Sequence, residues 1–339
     1  MFRKSKPNDP KKNYLELNIR ASYDPETDSI QLTSKDHKIP SDSSGFHLTL
    51  TGGNGIDTTV RTMLMDAGLM PDERTLPTEL AYEEIAESPW YQFPLGQGAG
   101  AETIFWEPPS SSNLLITGPA GSGKSAIERS LILHCLRHPD KWSVYAIDPW
   151  RELSPYKEYA PVKGIVHTIG DAVEMLRSVR DEVEARYEKM EALGVNNYRD
   201  LPDEPPAILL IVDEIGGFLS MSGMKSQAEE DQLRGEAALI LSGISRMARA
   251  AGVHLALTTQ QPNTILVDGD LQYNITTKIV MGRVDAIHSH VVVGCAAATR
   301  IPSQIKGRAY IRSIGGRQHF QTALVPDKGN GPTRSLGEQ

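Results

Sequence analysis

The chain has 339 residues, 39% of them hydrophobic and 23% charged, with a formal net charge of −8. That length suits one large or two unequal domains with a sizeable core, and no apolar run approaches a bilayer span, so no membrane insertion is expected. The acidic balance excludes a protein that coats nucleic acid through bulk positive charge. Cys135 and Cys295 both lie in apolar contexts without metal-ligand spacing and read as buried free thiols, which points to a reducing, cytoplasmic compartment.

Residues 1–13 are polar and basic and read as a disordered tail; no apolar segment comes after them to make a secretory signal. Residues 14–75 read as a small α+β domain: strands within Tyr14–Arg20, Ser29–Leu32 and Phe46–Leu50, then a helix from Asp57 to Gly68. Residues 76–112 hold Pro, Gly and Ser clusters and read as a connector, with Trp90, Tyr91 and Trp106 expected to pin it to the main domain. From 113 to 325 strands alternate with helices, the pattern of an α/β fold with a mostly parallel central sheet flanked by helices. The strands are expected at 114–117, 143–147, 164–168, 207–213, 253–258 and 278–281, with a final antiparallel pair at 308–313 and 318–325. The helices are expected at 123–137, 171–193 and 226–251. Residues 326–339 read as a flexible tail.

The apolar run before Gly118 leads into Gly118-Pro119-Ala120-Gly121-Ser122-Gly123-Lys124-Ser125, the G-x-x-x-x-G-K-S phosphate-loop pattern. Its glycines allow backbone N–H groups to wrap a phosphate chain. Lys124 would reach the β- and γ-phosphates of ATP and Ser125 would ligate Mg²⁺, with the positive end of the adjoining helix adding to the cradle. The apolar strand Ala207–Val212 then ends in Asp213-Glu214, which fits Asp213 as the Mg²⁺ residue and Glu214 as the group that polarises the attacking water. A second carboxylate favours hydrolysis over nucleotide binding alone. Gln260, at the end of the strand Leu255–Thr258, is positioned to sense the γ-phosphate.

Several segments together resemble the motor domain of the FtsK/SpoIIIE DNA translocases: Gly118 to Ser125, Tyr145-Ala146-Ile147-Asp148-Pro149, the run from Arg186 to Val195, Val212-Asp213-Glu214, and Arg246 to His254 with Thr259-Gln260-Gln261-Pro262 after it. The similarity covers roughly residues 90 to 325. It implies a RecA-like ATPase, assembled as a homo-oligomeric, hexameric ring that pumps double-stranded DNA by ATP hydrolysis. Under that resemblance Gln260 matches the sensor glutamine. Arg249 matches the arginine that reaches a neighbouring subunit's ATP, with Arg246 as its rival. The family pattern T-Q-R-P has Gln261 in place of its arginine here, and Gln272 stands where a lysine is usual. Gln261, Gln272, Asn274 and Lys278 are then the candidate DNA contacts, with Arg283, Lys306 and Arg308 as further basic groups near the pore or site. Neither the membrane helices nor the winged helix of the large translocases is recognisable, which would suit a compact motor from a phage, plasmid or other mobile element. A related ring ATPase driving protein secretion or conjugative coupling is the alternative, and a non-motor nucleotide-binding scaffold is the third reading.

Overall fold

The computed structural model describes residues 19–24, 29–34, 47–51, 73–85, 87–220, 223–224, 227–260, 271 and 273–325. The expected helix from Asp57 to Gly68, the tails at 1–13 and 326–339, and Gln261 and Gln272 lie outside them. Near the N-terminus β1 (Ile19–Asp24), β2 (Ser29–Ser34) and β3 (His47–Thr51) form an antiparallel sheet in that order. β1 is described from Ile19 and pairs with β2 from Ile19↔Ser34 to Asp24↔Ser29, while residues 14–18 of the expected first strand Tyr14–Arg20 lie outside the described residues.

The main body is a 10-stranded sheet. In chain order its elements are β4 (Phe93–Gly98), β5 (Thr103–Trp106), β6 (Leu114–Thr117), α1 (Lys124–Arg137), β7 (Trp142–Ile147), β8 (Val162–Val166) and α2 (Ile169–Leu193). Then come β9 (Ala207–Val212), α3 (Ile215–Phe218), α4 (Ala228–Met247), β10 (Val253–Thr259), β11 (Thr277–Met281), α5 (Ala286–Val293), β12 (Arg308–Ser313) and β13 (Gly316–Thr322). The strand order is β5-β4-β13-β12-β11-β6-β10-β9-β7-β8. From β11 to β8 all pairs are parallel, and from β11 to β5 all are antiparallel.

The expected strands of the main body are all present, with the final pair antiparallel as read. The ends shift: 164–168 becomes Val162–Val166, 318–325 becomes Gly316–Thr322, and the helix expected at 226–251 ends at Met247. Its last turn unwinds because Ala248–Gly252 turn the chain into β10, with Val253 N–H bonding Ala248 O at 2.9 Å. β9 is buried along its whole length, which is why it reads as an unbroken apolar run. α2 begins at an N-cap, Thr168, whose Oγ1 accepts from Asp171 N–H at 3.3 Å, and ends at Gly194 with φ 67°.

Two strands went unread in the connector. β4 carries Pro94, Gly96 and Gly98, residues that punctuate rather than build a strand. Gly96 is required by the sheet itself: a Cβ there would lie 2.0 Å from Gln321 O of β13. The expected pinning by Trp90 and Trp106 is present. Phe93 stacks between Trp106 at 5.2 Å and Trp142 at 4.9 Å, and Trp142 Nε1 donates to Trp90 O at 2.8 Å. This aromatic core lies with α1 on one face of the sheet, while α2, α4 and α5 cover the other.

Candidate nucleotide site

The parallel registers bring the C-terminal ends of the central strands to one edge. Thr117 lies beside Thr259, Leu257 beside Val212, and Val212 beside Ile147. Gly118, Gln260, Asp213 and Asp148 are the next residues on these strands, so four chain segments distant in sequence leave the sheet together. This is the edge where open α/β sheets bind ligands.

The loop from Gly118 to Gly123 depends on its glycines, with φ 148° at Gly118, 74° at Gly121 and 110° at Gly123. Gly118 also has no room for a side chain, since a Cβ would meet Met281 O at 2.2 Å. A second loop braces the first: Gly307 N–H bonds Ser122 O at 3.1 Å. Pro119, Ala120 and Gly121 form the exposed crest, whereas Ser122 and Lys124 are buried. Lys124 Nζ donates to Gly118 O at 2.9 Å and Pro119 O at 3.2 Å. Burial pulls its pKa below that of an ordinary lysine, against the opposing pull of Glu214 and Asp213.

Across from the loop, Thr258 and Thr259 organise the two carboxylates at the end of β9. Thr258 Oγ1 donates to Asp213 Oδ1 at 2.7 Å and accepts from Glu214 N–H at 3.1 Å. Thr259 Oγ1 donates to Glu214 Oε1 at 3.1 Å, and Gln260 N–H reaches the same oxygen at 3.0 Å. Glu214 sits at φ 49°, ψ 51°, a left-handed conformation unusual for a residue with a side chain. Burial raises the Asp213 pKa to about 6, with Thr258 opposing the shift. Asp148 is buried and accepts from Glu152 N–H at 3.1 Å and Leu153 N–H at 2.8 Å. Glu128, one turn along α1 from Lys124, is also buried, and burial beside Asp213 pushes its carboxyl well above the usual range.

The residues fit a nucleotide. The loop glycines open a backbone concavity, and Ser122 Oγ is buried there without a hydrogen-bond partner. They also fit Mg²⁺ held in the way phosphate-bound Mg²⁺ usually is. Ser125, at the start of α1, and Asp213, held by Thr258, are the residues that would hold it beside bound phosphate.

Other sequence-derived residues fall elsewhere. Arg249 is on the opposite edge of the sheet, before β10, where its Nε donates to Pro109 O at 2.9 Å. It lines a cavity of about 640 Å³ with Tyr187, Tyr198, Arg199, Arg246 and His254, and no carboxylate lines that cavity. Burial pushes the His254 pKa down to about 3, and the charges of Arg249 and Arg199 add to the fall. Asn274 accepts from Asn113 Nδ2 at 3.1 Å through its backbone oxygen, and Lys278 is half-buried in β11. Arg283 and Lys306 are exposed, next to Gly282 and Gly307 and so beside the phosphate loop. Arg308 is a correction. It is buried and spent on structure, donating to Gln321 Oε1 at 3.0 Å and Pro77 O at 2.9 Å, and offers nothing to DNA. Thr258, Thr259, Asp148 and Glu128 were missed as site residues. The signal available was their position at the ends of strands or one turn beyond Lys124.

A glycine loop after one parallel strand, facing paired carboxylates after the strand two places away, defines the class of phosphate-loop NTPases. Within that class, residues 85–208 match the FtsK/SpoIIIE family model. It is 31% identical over 225 residues to DNA translocase FtsK of Chlorobaculum tepidum, covering 61% of this chain and 27% of the relative. It is 27% identical over 231 residues to DNA translocase SpoIIIE of Bacillus subtilis, again 61% of this chain and 27% of the relative. The match thus spans about a quarter of the length of these relatives. Among solved structures, the pCW3 conjugation coupling protein TcpA, in a monomer form with ATPγS, superposes with a TM-score of 0.68 at 19% identity, covering 91% of this chain and 89% of that one. EssC (ATPases 2 and 3) from Geobacillus thermodenitrificans gives 0.59 at 21% identity, covering 76% and 48%. These two likenesses are of fold.

Proposed function

We propose that the chain is an ATP-hydrolysing motor that moves double-stranded DNA, working as a homo-oligomeric ring, hexameric as the family resemblance implies. The observation that carries hydrolysis is the pair Asp213 and Glu214, each held by a threonine of β10 beside the Lys124 loop. The DNA cargo is supported by the names of the sequence relatives, both DNA translocases. The two cysteines are free and buried, in keeping with the cytoplasm, and no helix among the described residues is long and apolar enough to cross a membrane.

In this reading the loop N–H groups and Lys124 hold the β- and γ-phosphates. Ser125 and Asp213 would hold Mg²⁺, which would supply positive charge to the phosphates. Water attacks the γ-phosphorus, the bond to the β,γ-bridging oxygen breaks, and Glu214 takes the proton, leaving ADP and phosphate. Gln260, whose N–H touches the Glu214 carboxylate, links loss of the γ-phosphate to that base. Arg249 is a full strand away from its own loop, so it serves the nucleotide of a neighbouring subunit. Charge arriving from a neighbour ties turnover to assembly.

The test is the ATPase rate with and without linear duplex DNA at low salt. Stimulation by duplex that is abolished in Lys124→Ala is expected. A rate indifferent to duplex of every length overturns the DNA cargo and favours a protein-secretion or conjugative-coupling motor.

A further inference from the structure

We propose that Lys278, Arg312 and Arg317 form a row that grips the phosphate backbone of duplex DNA. The proposal rests on the translocase reading and adds to it a surface outside the nucleotide site.

The three residues lie on adjacent strands and in register. Lys278 of β11 pairs with Arg312 of β12, and Arg312 pairs with Arg317 of β13. Directly paired residues share a face of the sheet, so the three cations stand side by side at strand spacings of about 4.8 Å. Like charges set opposite one another repel. Even so, no carboxylate among the described residues pairs with any of the three, in a chain whose net charge is −8. All three are partly exposed. Burial, and then the charge of Arg312, pull the Lys278 pKa below the ordinary lysine value.

What gathers the arginines is the end of α5. A Cβ built on Gly294, the C-cap of that helix, would lie 3.3 Å from Arg312 Nη1 and 3.7 Å from Arg317 Nη2. The partial negative charge of a helix C-terminus draws cations to it without neutralising three of them. The row therefore keeps a surplus of positive charge. It lies where β11 begins and β12 ends, on the edge away from the phosphate loop and shared with Arg249. A repeating array of anions is the ligand that fits a row of fixed cations. Contacts of this kind hold the backbone without reading bases, as a motor that must pass every sequence requires.

The experiment is binding of a fluorescent duplex, monitored by anisotropy from roughly 50 to 200 mM salt, where each phosphate contact adds about 0.9 to the slope of log K against log[salt]. Arg312→Gln with Arg317→Gln should lower that slope by about 2, and Lys278→Met by about 1 more. The unfolding midpoint should stay level or rise, because repulsion is removed. Arg312→Lys with Arg317→Lys keeps the charges and should keep the slope. A wild-type slope in the glutamine variants overturns the row. So does weaker binding at unchanged slope with a lowered unfolding midpoint, which marks a structural role. Failure of the unaltered chain to bind duplex at any salt overturns the translocase reading itself, and the ligand of the row with it.

Discussion

The carboxylate of Glu214 and the backbone N–H of Gln260 meet at 3.0 Å, so the residue proposed as base and the residue proposed as γ-phosphate sensor are in direct contact at the end of β10. Thr259 Oγ1 shares the same carboxylate oxygen at 3.1 Å. Glu214→Gln keeps the shape and removes the proton acceptor. It should bind nucleotide normally and lose on the order of a hundredfold or more in kcat. Thr259→Val removes a positioning bond and should lower kcat by about tenfold with KM unchanged, while Thr259→Ser restores the rate. Steady-state kinetics on the three variants check this. An equal loss in Val and Ser variants would show that the hydroxyl has no part in placing Glu214.

The phosphate-loop glycines should separate by environment. Gly118 combines φ 148° with a Cβ position 2.2 Å from Met281 O, so Gly118→Ala must displace backbone. It should abolish nucleotide binding and lower stability by about 3 kcal/mol. Gly121 has φ 74° but no atom within 4 Å of a Cβ, so Gly121→Ala meets only left-handed strain, on the order of 1–2 kcal/mol. Urea unfolding and titration with a fluorescent ATP analogue on both variants give the comparison.

Much of this site was legible because its chemistry is local. Gly118 to Ser125 and Asp213-Glu214 are each contiguous, and the apolar strands before them announce where each leaves the sheet. The position of Thr258 and Thr259 at a strand end was a signal, but which groups they hold was not legible, because that comes from strand order. β10 lies between β6 and β9, so only the fold brings the two threonines to the carboxylates. β4 was hidden by the glycine its close approach to β13 requires. Arg308 looked like a surface cation and is instead absorbed by Gln321 and two loop carbonyls.

Arg249 and Lys124 lie on opposite edges of one chain, with the 7 residues of β10 between the Arg249 turn and Gln260. If Arg249 completes a neighbour's site, Arg249→Ala and Lys124→Ala damage different halves of a shared site. Each alone should lose on the order of a thousandfold in turnover, since an arginine finger in trans contributes about 10³ or more in phosphoryl-transfer enzymes. Mixing the two inactive chains should restore a measurable fraction, because some interfaces pair an intact loop with an intact arginine. No recovery on mixing, with assembly confirmed by sedimentation, would place Arg249 outside catalysis.

The buried titrating groups set two opposing pH dependences. Burial lowers the pKa of His134 to about 4 and of His254 to about 3. In the unfolded chain both titrate near 6.5, so their contribution is complete above that pH and is lost as pH falls below it. Glu128 behaves in the opposite sense. Burial raises its carboxyl well above the ordinary glutamate value of 4.5, so its contribution is complete below 4.5 and is lost as pH rises towards the folded value. Between about 4.5 and 6.5 the glutamate therefore offsets part of the histidine slope. Glu128→Gln removes the carboxyl that must stay protonated and keeps its shape. Relative to the parent it should gain about 1.4 kcal/mol per pH unit above roughly 4.5, up to the raised folded pKa. The advantage should be small at about pH 5 and large at about pH 8, and acid unfolding should become steeper in the variant. Urea midpoints at the two pH values measure it. An advantage equal at both would mean that Glu128 is ionised in the folded chain, paired with a cation such as Lys124.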